Sequence, residues 1–102
     1  MSFKQNLAEA IAAEARLIIL RELAEQTDGR LSSLSIRTVL DVRGISRDSD
    51  WIKTQLRKLQ GLDAVELTEA GSTLIAKITR TGRDHVEERA VLSGVARPAE
   101  AE

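Results

Sequence analysis

The stretch from Ser46 to Gln60 leaves this chain the fewest choices. It reads Ser-Arg-Asp-Ser-Asp-Trp-Ile-Lys-Thr-Gln-Leu-Arg-Lys-Leu-Gln. At about 100° per residue, Ile52, Leu56 and Leu59 share one face of a helix. Asp50, Lys53, Thr54 and Arg57 collect on the opposite face, with Lys58 at its margin. Ser46 or Ser49 can cap the start, and Gly61 follows the end. A short helix with an apolar back and a cationic front must lie on a core built by other segments, with its front free.

Those segments can be read off in order. Residues 3–26 are rich in Ala, Glu, Leu and Arg, and predict one long helix or two joined ones. Leu7, Ile11, Ala15 and Ile18 form one stripe and Leu17, Leu20 and Ala24 a second, with Ile19 and Leu23 on a third flank. One stripe covers the domain core. The surplus apolar surface predicts a second copy of the chain, meeting Leu7, Ile11, Leu17 and Leu20; burial inside one subunit is the alternative. Gly29 ends this helix, Leu31 belongs to a short edge strand, and Ser33 or Ser35 caps a second helix reaching Val42. Its inward residues are Ile36, Val39 and Leu40, while Arg37 and Arg43 point away. Gly44 breaks it and Ile45 packs into the turn before the organising helix. Val65 and Leu67 alternate with Glu66 and Thr68, Glu69 to Ser72 turn, and Thr73 to Thr79 return, which predicts a hairpin. Thr81 and Asp84 mimic a capping box for a last helix near Arg83 to Leu92. Pro98 and the small or acidic residues around it predict a mobile tail over residues 95–102.

The expected organisation is therefore a single domain over residues 1–94, mainly α with a small β-hairpin (α+β). Its parts are a long helix at 1–27, a helix, turn and helix at 33–60, a hairpin at 62–79 and a last helix at 81–93. Helix, helix, turn, helix and hairpin in that order outline a winged helix-turn-helix, with residues 46–60 as its recognition helix.

With no cysteine among 102 residues, disulfides, thiolate metal sites and cysteine catalysis are excluded. No apolar run approaches the roughly 20 residues that span a bilayer, and the N-terminus lacks a signal-peptide pattern, so a cytoplasmic protein without membrane contact is expected. The single histidine, His85, sits beside Glu88 and Arg89; a partly exposed helix position is expected for it, since one His and one carboxylate make at most half a metal site. Without a nucleophile motif or a glycine-rich phosphate loop, no enzyme, cofactor or metal is expected.

Charge is uneven. The chain carries −1 overall, yet residues 30–60 hold seven basic and three acidic groups, a local +4. Residues 1–29 hold three basic and five acidic groups, and residues 61–102 five and eight. A local basic patch is the electrostatic footprint of phosphate binding.

Ile78-Thr79-Arg80-Thr81-Gly82-Arg83 after the hairpin resembles the winged-helix regulators of the ArsR-like and MarR-like type, in which Thr, two residues, then Gly-Arg recurs. Leu56-Arg57-Lys58-Leu59, Thr79 to Gly82 and the ending Arg89-Ala90, Gly94-Val95, Arg97-Pro98 are similar to a family of small ArsR-labelled proteins of Mu-like phages and prophages. The resemblance implies double-stranded DNA as partner, a homodimer, and a role in transcription regulation. Two features depart from it. Metal-sensing ArsR members use cysteines, which this chain lacks. Its hairpin tip also carries Glu69 where DNA-binding wings offer Arg or Lys.

The residues expected at DNA are Lys53, Thr54, Arg57 and Lys58 on the helix, Arg37, Arg43 and Arg47 as phosphate clamps, and Lys77 on the hairpin. Asp48 and Asp50 favour the helix N-terminus but repel phosphate. Trp51 is expected at the core edge, against the first helix or against a partner copy. Two functions stay open: a DNA-binding regulator, and a winged-helix adaptor that binds protein, such as a phage assembly or packaging partner.

Overall fold

The computed structural model describes residues 2–100. Met1, Ala101 and Glu102, the start of the expected domain and the end of the expected tail, lie outside the described residues. Among the described residues the architecture is α+β: four α-helices, a three-stranded antiparallel sheet and a 3-10 turn at Pro98–Glu100.

Helix α1 spans Phe3–Glu25 and opens with a complete capping box, in which Ser2 Oγ accepts from Gln5 N and Gln5 Oε1 accepts from Ser2 N, each at 3.2 Å. Gly29 takes a left-handed φ of 69° and turns the chain into strand β1, Arg30–Ser32. Helix α2, Ser33–Val42, is capped by Ser32, whose Oγ accepts from Ser35 N at 3.1 Å, rather than by Ser33 or Ser35. Ser33 is buried and its Oγ accepts from Leu74 N at 3.1 Å, fastening α2 to the sheet. Helix α3 is Ser49–Gly61, three residues later than Ser46, because Asp48 is its cap, with its carboxylate accepting from Trp51 N at 2.9 Å. A carboxylate both fills the orphan amide and complements the helix dipole, so it outcompetes the serines beside it.

Strands β2 (Val65–Ala70) and β3 (Thr73–Ile78) pair from Val65↔Ile78 to Ala70↔Thr73, which leaves a two-residue turn of Gly71 and Ser72. Gly71 has φ 64°, the conformation such turns ask of their first residue. β1 pairs the other edge of β3, with Leu31↔Ala76 in register, so the sheet order is β1-β3-β2. Leu74, Ala76 and Ile78 point inward, onto Ile36 and Leu40 of α2, Ile52, Leu56 and Leu59 of α3, and the second half of α1.

That second half corrects one expectation. Leu17 and Leu20 are each 0% exposed within a single chain and are unavailable to a partner; Ile11 is half-buried and Leu7 exposed. The helices, the sheet and the C-terminal segment together surround α1 from Ala15 to Leu20, which is why its apolar surface exceeds one stripe.

The end of the chain supplies two further corrections. Helix α4 is Arg80–Val86, shorter and earlier than the helix expected at 81–93. Thr79 caps it, accepting from Gly82 N at 3.2 Å, and Glu88 at φ 62° turns the backbone out of the helix. The stretch expected as a mobile tail is instead fastened to α1. Ala96 N donates to Ala13 O at 3.1 Å, Arg16 Nη1 to Gly94 O at 2.6 Å, and Val95 is buried in the core. His85, expected to be partly exposed, is 0% exposed. Leu92 N donates to its Nδ1 at 3.0 Å, so the proton sits on Nε2 and is donated to Ala96 O at 2.9 Å. Among the described residues no helix is long and apolar enough to cross a membrane.

Candidate nucleic-acid interface

The back of α3 is seated by Ile52, Leu56 and Leu59, all nearly inaccessible, and by Gln55, which is 3% exposed. Gln55 Oε1 accepts from Arg16 Nε at 2.9 Å, a buried polar contact between α3 and α1 that sequence reasoning missed. Its only trace in sequence is a polar residue on the apolar face of each helix. With the back fixed, helical geometry sends Asp50, Thr54 and Arg57 outward, Lys53 toward the hairpin and Lys58 with Trp51 toward α1.

The eight residues expected at DNA divide by what they touch. Arg37, Arg57 and Lys58 are exposed and make no hydrogen bond or ion pair with protein groups among the described residues. Arg47 lies over the Trp51 ring, 5.4 Å from its centroid, and donates to Ser46 O at 3.0 Å. Its guanidinium is thereby held at the N-terminal end of α3 with spare donors still facing outward. Thr54 is exposed, and its hydroxyl donates back to Asp50 O at 3.0 Å, keeping its lone pairs for another donor.

The other three are engaged or displaced. Lys53 Nζ donates to Ser72 O at the hairpin turn, tying α3 to the hairpin tip. Arg43 pairs with Glu22 of α1 at 3.2 Å, so its charge is partly neutralised on the α1 side. Lys77 is exposed on the outer face of the sheet, opposite Arg30 of β1 and Glu66 of β2, rather than on the front of α3.

Between α2 and the start of α3 lies a concavity of about 350 Å³, lined by Arg37, Thr38, Asp41, Ser46, Arg47 and Asp48. Its acids are committed locally: Asp41 accepts from the Ser46 hydroxyl, and Asp48 caps α3. The two guanidiniums at such a notch can hold a phosphate oxygen, while the Thr38 and Ser46 hydroxyls are spent on Leu34 O and Asp41. Asp50 on the front of α3 and Glu69 near the hairpin tip are exposed and oppose an anion. Trp51 occupies the core-edge position expected for it, half-buried beside Ala8 and Ala12 of α1.

His85 offers no chemistry of its own, because both ring nitrogens are occupied by main-chain groups. No protein-family model, curated protein or solved structure matches the chain.

Proposed function

We propose that this chain is a winged helix-turn-helix protein that binds double-stranded DNA, with α3 as recognition helix and β2–β3 as wing, and that it acts as a transcription regulator of the phage kind its sequence resembles. One observation carries the reading. Arg57 on the front of α3, Lys58 on its flank toward α1 and Arg37 on α2 are exposed, and none has a hydrogen-bond or ion-pair partner among the described residues. Basic side chains facing solvent on a helix of groove-fitting size suit a polyanion.

Within this reading the roles differ. Arg57 presents a planar fork that fits a guanine edge, whereas Lys58 acts as a point charge on phosphate. Arg37 and Arg47 flank the notch and position the duplex through its backbone. Lys53 works indirectly, by fixing the wing tip against α3.

The test is binding of the full chain to a random duplex and to the DNA upstream of its own gene at two salt concentrations. Tighter binding to the upstream DNA, weakening with salt, is expected. Replacing Arg57 and Lys58 together with Ala should weaken it at least about tenfold and lower the salt slope by about 1, for the phosphate contact of Lys58. Unchanged affinity in that variant refutes the reading. The protein-binding adaptor gains support from exposed Glu69 at the wing tip, and absence of any DNA binding at low salt would favour it.

A further inference from the structure

We infer that Asp50 is a specificity-determining residue of α3: its carboxylate reads the amino group of a cytosine in the major groove, about three base pairs from the guanine read by Arg57. The inference rests on the DNA-binding reading and names the class of site that the helix selects.

A carboxylate on a face turned to a polyanion lowers affinity, so its place there calls for a reason. The local reasons are already met by other groups. Asp48, not Asp50, caps the helix, accepting from Trp51 N at 2.9 Å. The two nearest cations in sequence are turned elsewhere: Arg47 lies over the Trp51 ring and donates to Ser46 O, and Lys53 donates to Ser72 O. Thr54 donates to the main-chain oxygen of Asp50 at 3.0 Å rather than to its carboxylate. The Asp50 side chain is exposed and has no hydrogen-bond or ion-pair partner among the described residues.

Base edges supply the partner. The N-terminal residues of a recognition helix are those that reach them, and Asp50 lies in the first turn of α3. An ionised carboxylate only accepts hydrogen bonds. In the major groove guanine offers acceptors alone, and thymine an acceptor and a methyl group, so neither gives it a donor. Adenine sets its N7 acceptor beside its amino donor, whereas cytosine presents its amino donor without one. Asp50 therefore favours cytosine. Arg57 stands seven residues on, close to two turns, and shares the face. Seven residues span about 10.5 Å of helix, the rise of about three base pairs where the axis follows the groove. The same carboxylate repels phosphate on every wrong sequence, which sharpens the choice.

The full chain is mixed with a pool of randomised duplexes at one fixed salt concentration, and the bound fraction is sequenced. Wild type should enrich cytosine at least about fivefold at one position, with guanine enriched about three base pairs away. Asp50→Asn turns the acceptor into the donor and acceptor pair that fits adenine, so that position should switch from cytosine to adenine while the guanine stays. The retained guanine also shows that the variant is folded. Asp50→Ala should flatten the position and tighten binding to a random duplex about twofold or more at low salt. A role confined to the helix dipole predicts lower stability with no change of base preference, and that result would overturn the inference. So would a wild type that enriches no cytosine, or a cytosine preference that persists in Asp50→Asn. Each of these leaves the DNA-binding reading standing, whereas a wild-type chain that binds no duplex at low salt overturns the two together.

Discussion

The junction around α4 and the front of α3 use similar residues to opposite ends. At the junction, the polar groups of Thr79, Arg83 and His85 are spent on the main chain. Thr79 accepts from Gly82 N, donates from its hydroxyl to Asp63 O at 2.6 Å and from its amide to Ala64 O at 3.0 Å. Arg83 Nη1 reaches Ala24 O at 3.4 Å, near the end of α1. Gly82 packs so closely that a Cβ there would stand 2.4 Å from Ala64 O. On the exposed side of α3, by contrast, Arg57 and Lys58 make no hydrogen bond or ion pair among the described residues. The motif that carries the family resemblance, Thr79 with Gly82 and Arg83, is thus consumed in joining the hairpin, α1 and α4. It bears on the fold. Any function must be argued from side chains that the fold leaves idle.

Substitutions should separate the two regions by size of effect. Gly82→Ala meets backbone rather than a flexible side chain, and should cost about 3 kcal/mol in urea unfolding. A cost near zero would mean that α4 can slide away from Ala64, and the contrast with α3 would fade. His85→Leu should cost about 2 kcal/mol, because it strands Leu92 N and Ala96 O together. The same variant should release the segment after Leu92, read as faster proteolysis near Arg97. At the boundary of the two regions, Asp48→Ala removes the cap of α3 and should cost about 1 kcal/mol. Arg37→Ala, across the same notch on α2, should stay within about 0.5 kcal/mol by the same measurement. If Arg37→Ala destabilised as much as Asp48→Ala, the charges around α3 would have a structural role and the DNA-binding reading would lose its main support.

The parts visible in sequence are those set by local pattern. The apolar back of α3, the hairpin and the edge strand at Leu31 follow from periodicity and turn residues, and each recurs in the structure close to its expected place. What escaped depends on segments meeting across the chain. Leu17 and Leu20 look like surplus surface only if nothing in the same chain covers that side of α1; Val95 and its neighbours help to do so, and a stretch with Pro98 and acidic residues gives no hint of it. His85 looks exposed on a helix ending at Leu92. Once Thr79 rather than Thr81 is the cap, the helix ends earlier and the chain folds back over the ring. For the candidate site, the residue types were legible but their engagement was not. Nothing in the spacing of Lys53 and Ser72, or of Arg43 and Glu22, announces that they pair.

Strand β1 has only three residues, yet it joins the central strand to a segment that precedes both α2 and α3. Helices α2 and α3 are therefore held at both ends by one sheet. Neither can swing outward as an independent lobe without breaking the β1–β3 ladder or the connection into β2. In hydrogen-exchange terms, the amides of α3 and those of the three strands should open as one cooperative unit, with the sheet and the two helices parting together.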